Sequence, residues 1–173
     1  MEKKNENLKY ILTRFDNYIN ASNVKGTFIV ALNTFIVGGV LVNRNSISEI
    51  LICNEPFLKL FNFVLFAICF SALCILFFTI KALFPYIDSG DSVEEEYTSN
   101  IYFGSVSKFK DKNEYSESIN KIDDSTFEKD LTYQIYTISK GLNKKYAMLN
   151  KAMYFIYFEL LLFLLIFILL IFK

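Results

Sequence analysis

A chain of 173 residues that carries 18 acidic and 18 basic side chains has no overall field to draw it to a nucleic acid polymer. It has no histidine, which removes His-based nucleophilic catalysis and most transition-metal sites. Nor does it have a Gly-rich phosphate loop, a Ser nucleophile elbow or a paired-carboxylate motif, so no enzymatic activity, catalytic residue, metal or cofactor is expected. A hydrophobic content of 53%, with 19 Phe and 11 Tyr, points instead to lipid.

Residues 1–25 predict a cytosolic amphipathic helix, because Leu8, Ile11, Leu12, Phe15, Tyr18 and Ile19 recur at three- and four-residue spacings. The segment is long and polar and no small-residue cleavage site follows it, so it does not read as a signal peptide. A membrane span needs about 20 mostly apolar residues at about 1.5 Å each. The apolar stretch 27–42 reaches that length as a span over 26–43 if Lys25 and Arg44 snorkel outward. Leu12, Ile19, Gly26 and Asn33 are spaced by sevens, so the helix should continue into the bilayer with Asn33 on its inward face.

Residues 44–56 form a short external loop containing Cys53, and residues 57–84 hold the second span, with Cys69, Cys74 and the polar candidates Asn62 and Ser71. Neither cysteine spacing is a metal or redox signature. Residues 85–151 make a linker and a small helical module. Its acidic run, 88–96, is a solvated linker by composition, and Tyr102, Phe103 and Val106 supply either packing or a ligand wall. A helix near 113–122 follows.

Ser125 and Glu128 form a capping box that opens a helix over about 126–172, roughly 70 Å long. Phe127, Leu131, Ile135, Ile138, Leu142, Tyr146, Leu149 and Met153 line one face of it, and Gly141 weakens it by about 1 kcal/mol. Such a helix would carry a cytosolic event into the membrane. The third span occupies 152–173, and between 160 and 172 it shows no polar side chain on any face, as no soluble helix would.

Glu159 interrupts that span at the depth Asn33 reaches in the first, near 12 Å below the inner interface, where an amide and a carboxyl can hydrogen-bond across helices. An intramembrane carboxylate costs on the order of 3 kcal/mol, so it needs a reason; helix-to-helix glue and the lining of a pore are both open readings. Glu159 is about a quarter turn off the cytosolic stripe, which would aim it at a neighbouring subunit. Arg14, Lys25, Lys81, Lys140, Lys144, Lys145 and Lys151 outnumber Arg44, Lys59 and Lys173, placing the N-terminus and the central module in the cytosol. The reading is an all-α integral membrane protein with three transmembrane helices and a small helical cytosolic module on two long continuous helices. It is expected to be a homo-oligomer, because a lone three-helix bundle encloses no conduit.

Three sets of residues resemble the bacterial Pycsar transmembrane effectors. They are Ile19-Asn-Ala-Ser-Asn23-Val-Lys25-Gly26 before the first span, Tyr102-Phe-Gly104 after the second, and Asp130-Leu-x-x-Gln134-Ile with Ser139 and Lys144-Lys145-Tyr146 before the third. Where family members usually carry an Asp-x-Lys-Ala-like element, this chain has Asn23-Val24-Lys25-Gly26. The resemblance implies an antiphage effector in the bacterial inner membrane. A partner cyclase would supply a cyclic pyrimidine mononucleotide such as cyclic UMP, and the effector would then permeabilise or disrupt the membrane in abortive infection. The ligand site it suggests uses Lys25, Lys144 and Lys145 as donors, Tyr146 and Phe103 as stacking faces, and Asn23 or Gln134 to read the base edge. Juxtamembrane lysines also contact anionic lipid, and Tyr146 falls on the packing stripe. Two other classes stay open: a membrane-anchored protein-interaction adaptor, and a constitutive small channel or holin-like toxin.

Overall fold

A computed structural model describes residues 2–52, 55–84 and 99–172; Cys53, Asn54, Lys173 and the acidic run 88–96 lie outside them. The described residues form helices and no strand: α1 (Glu2–Val42), α2 (Arg44–Leu51), α3 (Glu55–Leu83), α4 (Phe103–Val106), α5 (Lys112–Asn120) and α6 (Asp124–Ile171). This is the all-α class that the periodicity predicts. α1, α3 and α6 are each long and apolar enough to cross a membrane.

α1 joins the amphipathic segment to the first apolar stretch in one helix. Leu8, Leu12, Phe15, Ile19, Ser22, Gly26, Ile29, Asn33, Ile36 and Val40 are buried or half-buried. Their steps alternate between four and three residues, which keeps one face turned inward along the whole helix. Tyr18 falls outside that stripe and is exposed. The helix ends where the Asn43 side-chain amide donates to the Gly39 carbonyl at 2.8 Å, satisfying one of the acceptors left over in the last turn.

α6 starts differently from the expected capping box. Asp123, not Ser125, caps it, its Oδ1 accepting from the Thr126 backbone N–H at 2.9 Å. Hydrogen bonds from Thr126 hold the Asp123 carboxyl below its ordinary pKa. Glu128 turns away from the cap to pair with Lys4. The helix passes Gly141 without a break.

The chain divides into two compact units. The first comprises Met1–Ala21 and Pro85–Lys144. Its centre is polar: Ser99 Oγ donates to Asp130 Oδ1 at 2.7 Å, and the Asn100 N–H donates to Asp130 Oδ2 at 2.9 Å. Ser99 Oγ in turn accepts from the backbone N–H groups of Ile101 and Tyr102. α5 is tied to the same segment, with Tyr115 donating to the Asn100 carbonyl at 3.0 Å and Ser118 donating to Asn100 Oδ1 at 2.7 Å. Asp111 caps α5 by accepting from the N–H groups of Asn113 and Glu114, and Glu114 reaches back to the Lys110 N–H.

The second unit comprises Ser22–Phe84 and Lys145–Lys173. Its apolar side chains gather in two clusters. One holds Val40, Leu51, Phe61, Val64, Ile68, Ile166 and Leu169, and so draws in α2 through Leu51. The other holds Ile29, Ile75, Ala82, Leu149, Ala152 and Ile156. Phenylalanines such as Phe35, Phe63 and Phe66 stand outward, at 76%, 68% and 70% exposure, the surface a bilayer would cover. Gly26 lets α1 approach α3: a Cβ there would lie 2.9 Å from Leu83 Cδ2.

Candidate functional site

At one end of the second unit, α1 and α6 bring together Asn23, Lys25, Lys145 and Tyr146. Lys145 is buried and its ammonium donates to Asn23 Oδ1. That burial pushes its pKa below the ordinary lysine value. Lys25 lies with its Nζ 5.5 Å from the centre of the Tyr146 ring, in cation–π range. Among the described residues neither lysine forms an ion pair with a carboxylate. A cavity of about 530 Å³ opens beside them, with Lys25, Tyr146 and Asn150 at its polar edge and Phe28, Leu149 and Met153 along its wall. Two cations, an amide and an aromatic face are the groups that hold an anion attached to a flat ring.

The other residues singled out in the sequence belong to the first unit. Gln134 donates from Nε2 to Ser99 Oγ at 3.1 Å, joining the network around Asp130. Phe103 is exposed and its ring sits 4.8 Å from that of Tyr102. Lys144 is exposed on α6. Sequence reasoning passed over Ser99 and the role of Asp130. Asp130 and Gln134 stand one helical turn apart, which was a usable signal, but nothing in the sequence shows that Ser99 lies between them.

Inside the apolar helices, Asn33, Ser71 and Glu159 are buried, at 2%, 0% and 0% exposure. On each helix the polar residue falls between members of the two apolar clusters. They therefore form a polar layer within the bundle. Asn33 does not bond Glu159 as its depth suggested; its Nδ2 donates to the Ala72 carbonyl at 3.3 Å. Ser71 donates to the Phe155 carbonyl at 3.2 Å. Glu159 lies in step with Lys145, Leu149, Ala152 and Ile156, all buried, so it faces inward and not a quarter turn away. The heptad-like steps of four and three keep it on that face, where a straight-helix projection from the upper stripe drifts off it. Both its carboxyl oxygens and Asn33 Oδ1 are buried without a hydrogen-bond partner among the described residues. Asn62 points outward from α3 and takes no part in the layer.

The family model for the Pycsar effector protein domain, PycTM, matches residues 7–172. No curated protein and no solved structure matches the chain.

Proposed function

We propose that this chain, which belongs to the Pycsar effector domain family and is thereby an antiphage defence effector, senses a cyclic pyrimidine mononucleotide and then permeabilises the membrane that its three apolar helices cross. The observation that carries the reading is the pair Lys25 and Lys145, two cations without a carboxylate partner among the described residues, beside Tyr146 and Asn23. A ligand phosphate would accept hydrogen bonds from both ammonium groups. A pyrimidine ring would compete with Lys25 for the Tyr146 face, and Asn23 would exchange the Lys145 ammonium for a base edge.

A phosphate that draws Lys145 toward itself frees Asn23 and changes how α1 and α6 meet, and both helices supply residues to the apolar clusters. Raising an open state from about 1% to 99% needs roughly 5.5 kcal/mol of differential binding, within reach of two charge-assisted contacts and a stacked ring. The site would lie in the cytosol of a bacterium, the spans in its inner membrane, and a partner cyclase would supply the ligand to a homo-oligomer without catalysis by the effector.

The test is dye release from liposomes holding the purified protein, titrated with cyclic UMP, cyclic CMP, cyclic purine mononucleotides and cyclic dinucleotides. Release with cyclic pyrimidines alone is expected. Lys25→Ala and Lys145→Ala should insert normally and lose the response; an undiminished response in both removes the site. Silence toward every nucleotide favours the adaptor, and release without any favours the constitutive channel.

A further inference from the structure

The polar layer in the second unit has a chemistry of its own. From Gly26 to Val42, from Leu60 to Ile80 and from Ala152 to Phe172, Glu159 is the one Asp, Glu, Lys or Arg side chain. It is completely buried, and neither of its carboxyl oxygens meets a donor among the described residues. Asn33 Oδ1 and Thr79 Oγ1 are buried acceptors in the same condition. A well-packed apolar bundle gains nothing from such groups, since a buried polar atom without a partner has lost its hydration and received no hydrogen bond in return. Leucine or isoleucine, which fill the neighbouring positions of the stripe at Ile156 and Ile166, would seal this level better.

The state that satisfies these atoms is one in which water reaches them. Glu159, Asn33 and Ser71 come from three different helices and converge between two apolar clusters. Parting the helices at this level would hydrate an acid, an amide and a hydroxyl at once. Parting them at the cluster of Val40, Phe61 and Ile166 would wet only hydrocarbon. The layer thus lowers the cost of opening at one place along the bundle and leaves a single negative side chain there.

We infer that the open state conducts through this layer and selects cations over anions, with the Glu159 carboxylate lining the path and Asn33 and Ser71 completing its wall. This rests on the gated-effector reading above and adds to it the charge class of what crosses the membrane. A carboxylate at a narrow point concentrates cations and repels anions, and its effect is strong because the apolar walls focus its field.

The deciding measurement is the reversal potential of nucleotide-activated currents across planar bilayers under a KCl gradient, for wild type, Glu159→Gln and Glu159→Asp. Wild type should prefer K⁺ over Cl⁻, Glu159→Gln should still open while its permeability ratio falls roughly tenfold toward unity, and Glu159→Asp should restore most of the preference. Equal K⁺ and Cl⁻ permeability in wild type, or an unchanged ratio in Glu159→Gln, overturns the inference while leaving the gated effector standing. No current from wild type with any nucleotide overturns the gated effector and this inference together. A residue that served only to hold helices together would change how often the current appears and not which ion carries it.

Discussion

Asp130 and Glu159 are both fully buried carboxyl groups on α6, yet their surroundings are opposite. Asp130, in the first unit, accepts from Ser99 and from the Asn100 backbone, and through them it orders the segment that leads to α4 and α5. Glu159, in the second, accepts from no donor among the described residues. The first carboxyl holds structure together. The second costs stability where it stands, and a group that costs stability in one state is poised to favour another.

The sharpest way to break this contrast is to remove each acid and compare signs. Asp130→Ala leaves the Ser99 hydroxyl and the Asn100 N–H buried without an acceptor, so a loss of about 3 kcal/mol is expected. It should appear as a lower melting temperature and as faster hydrogen exchange in α5. Glu159→Leu should act the other way, raising stability by about 1–2 kcal/mol as apolar packing replaces an unsatisfied group. A lower melting temperature for Glu159→Leu would mean that the acid is glue after all.

Smaller effects refine the picture. Asp111→Ala removes the cap of α5 and should cost about 1 kcal/mol, confined in hydrogen exchange to the first turn of that helix. Loss of protection throughout the second unit would contradict the division into two units. The smallest expected effect concerns Lys145, whose folded-state pKa is lowered by burial. Between that value and the ordinary 10.5 the unfolded chain binds more protons than the folded one, so stability should rise with pH in this alkaline window. At neutral pH, where both forms hold the proton, the cost of burying the ammonium is fully present. Lys145→Met should flatten the rise in a comparison of thermal midpoints; an identical pH slope in both proteins would place Lys145 in water.

Much of the candidate site could be read from the sequence, but only in part. Lys25, Lys145 and Tyr146 follow from their place at the inner ends of apolar helices and from the family resemblance, and the bundle does bring them together with Asn23. The partner of Asn33 could not be read, because hydropathy gives its depth and not which carbonyl of α3 lies opposite. Glu159 was misplaced by a small angular error that accumulates along a long helix, and the burial of Leu149, Ala152 and Ile156 corrects it.

By itself the sequence determined three long apolar helices, two of them running on into polar amphipathic segments, and the family to which the chain belongs. These are local properties, set by the apolarity of a run of about 20 residues and by the spacing of side chains around one helix axis. Tertiary structure decided the rest: that Asp123 caps α6, that Ser99 satisfies Asp130, and that an acid, an amide and a hydroxyl from three helices share one level while the acid finds no donor among the described residues. The reason is physical. Hydrogen bonds act over about 3 Å between residues far apart in the chain, and no local pattern records which donor arrives.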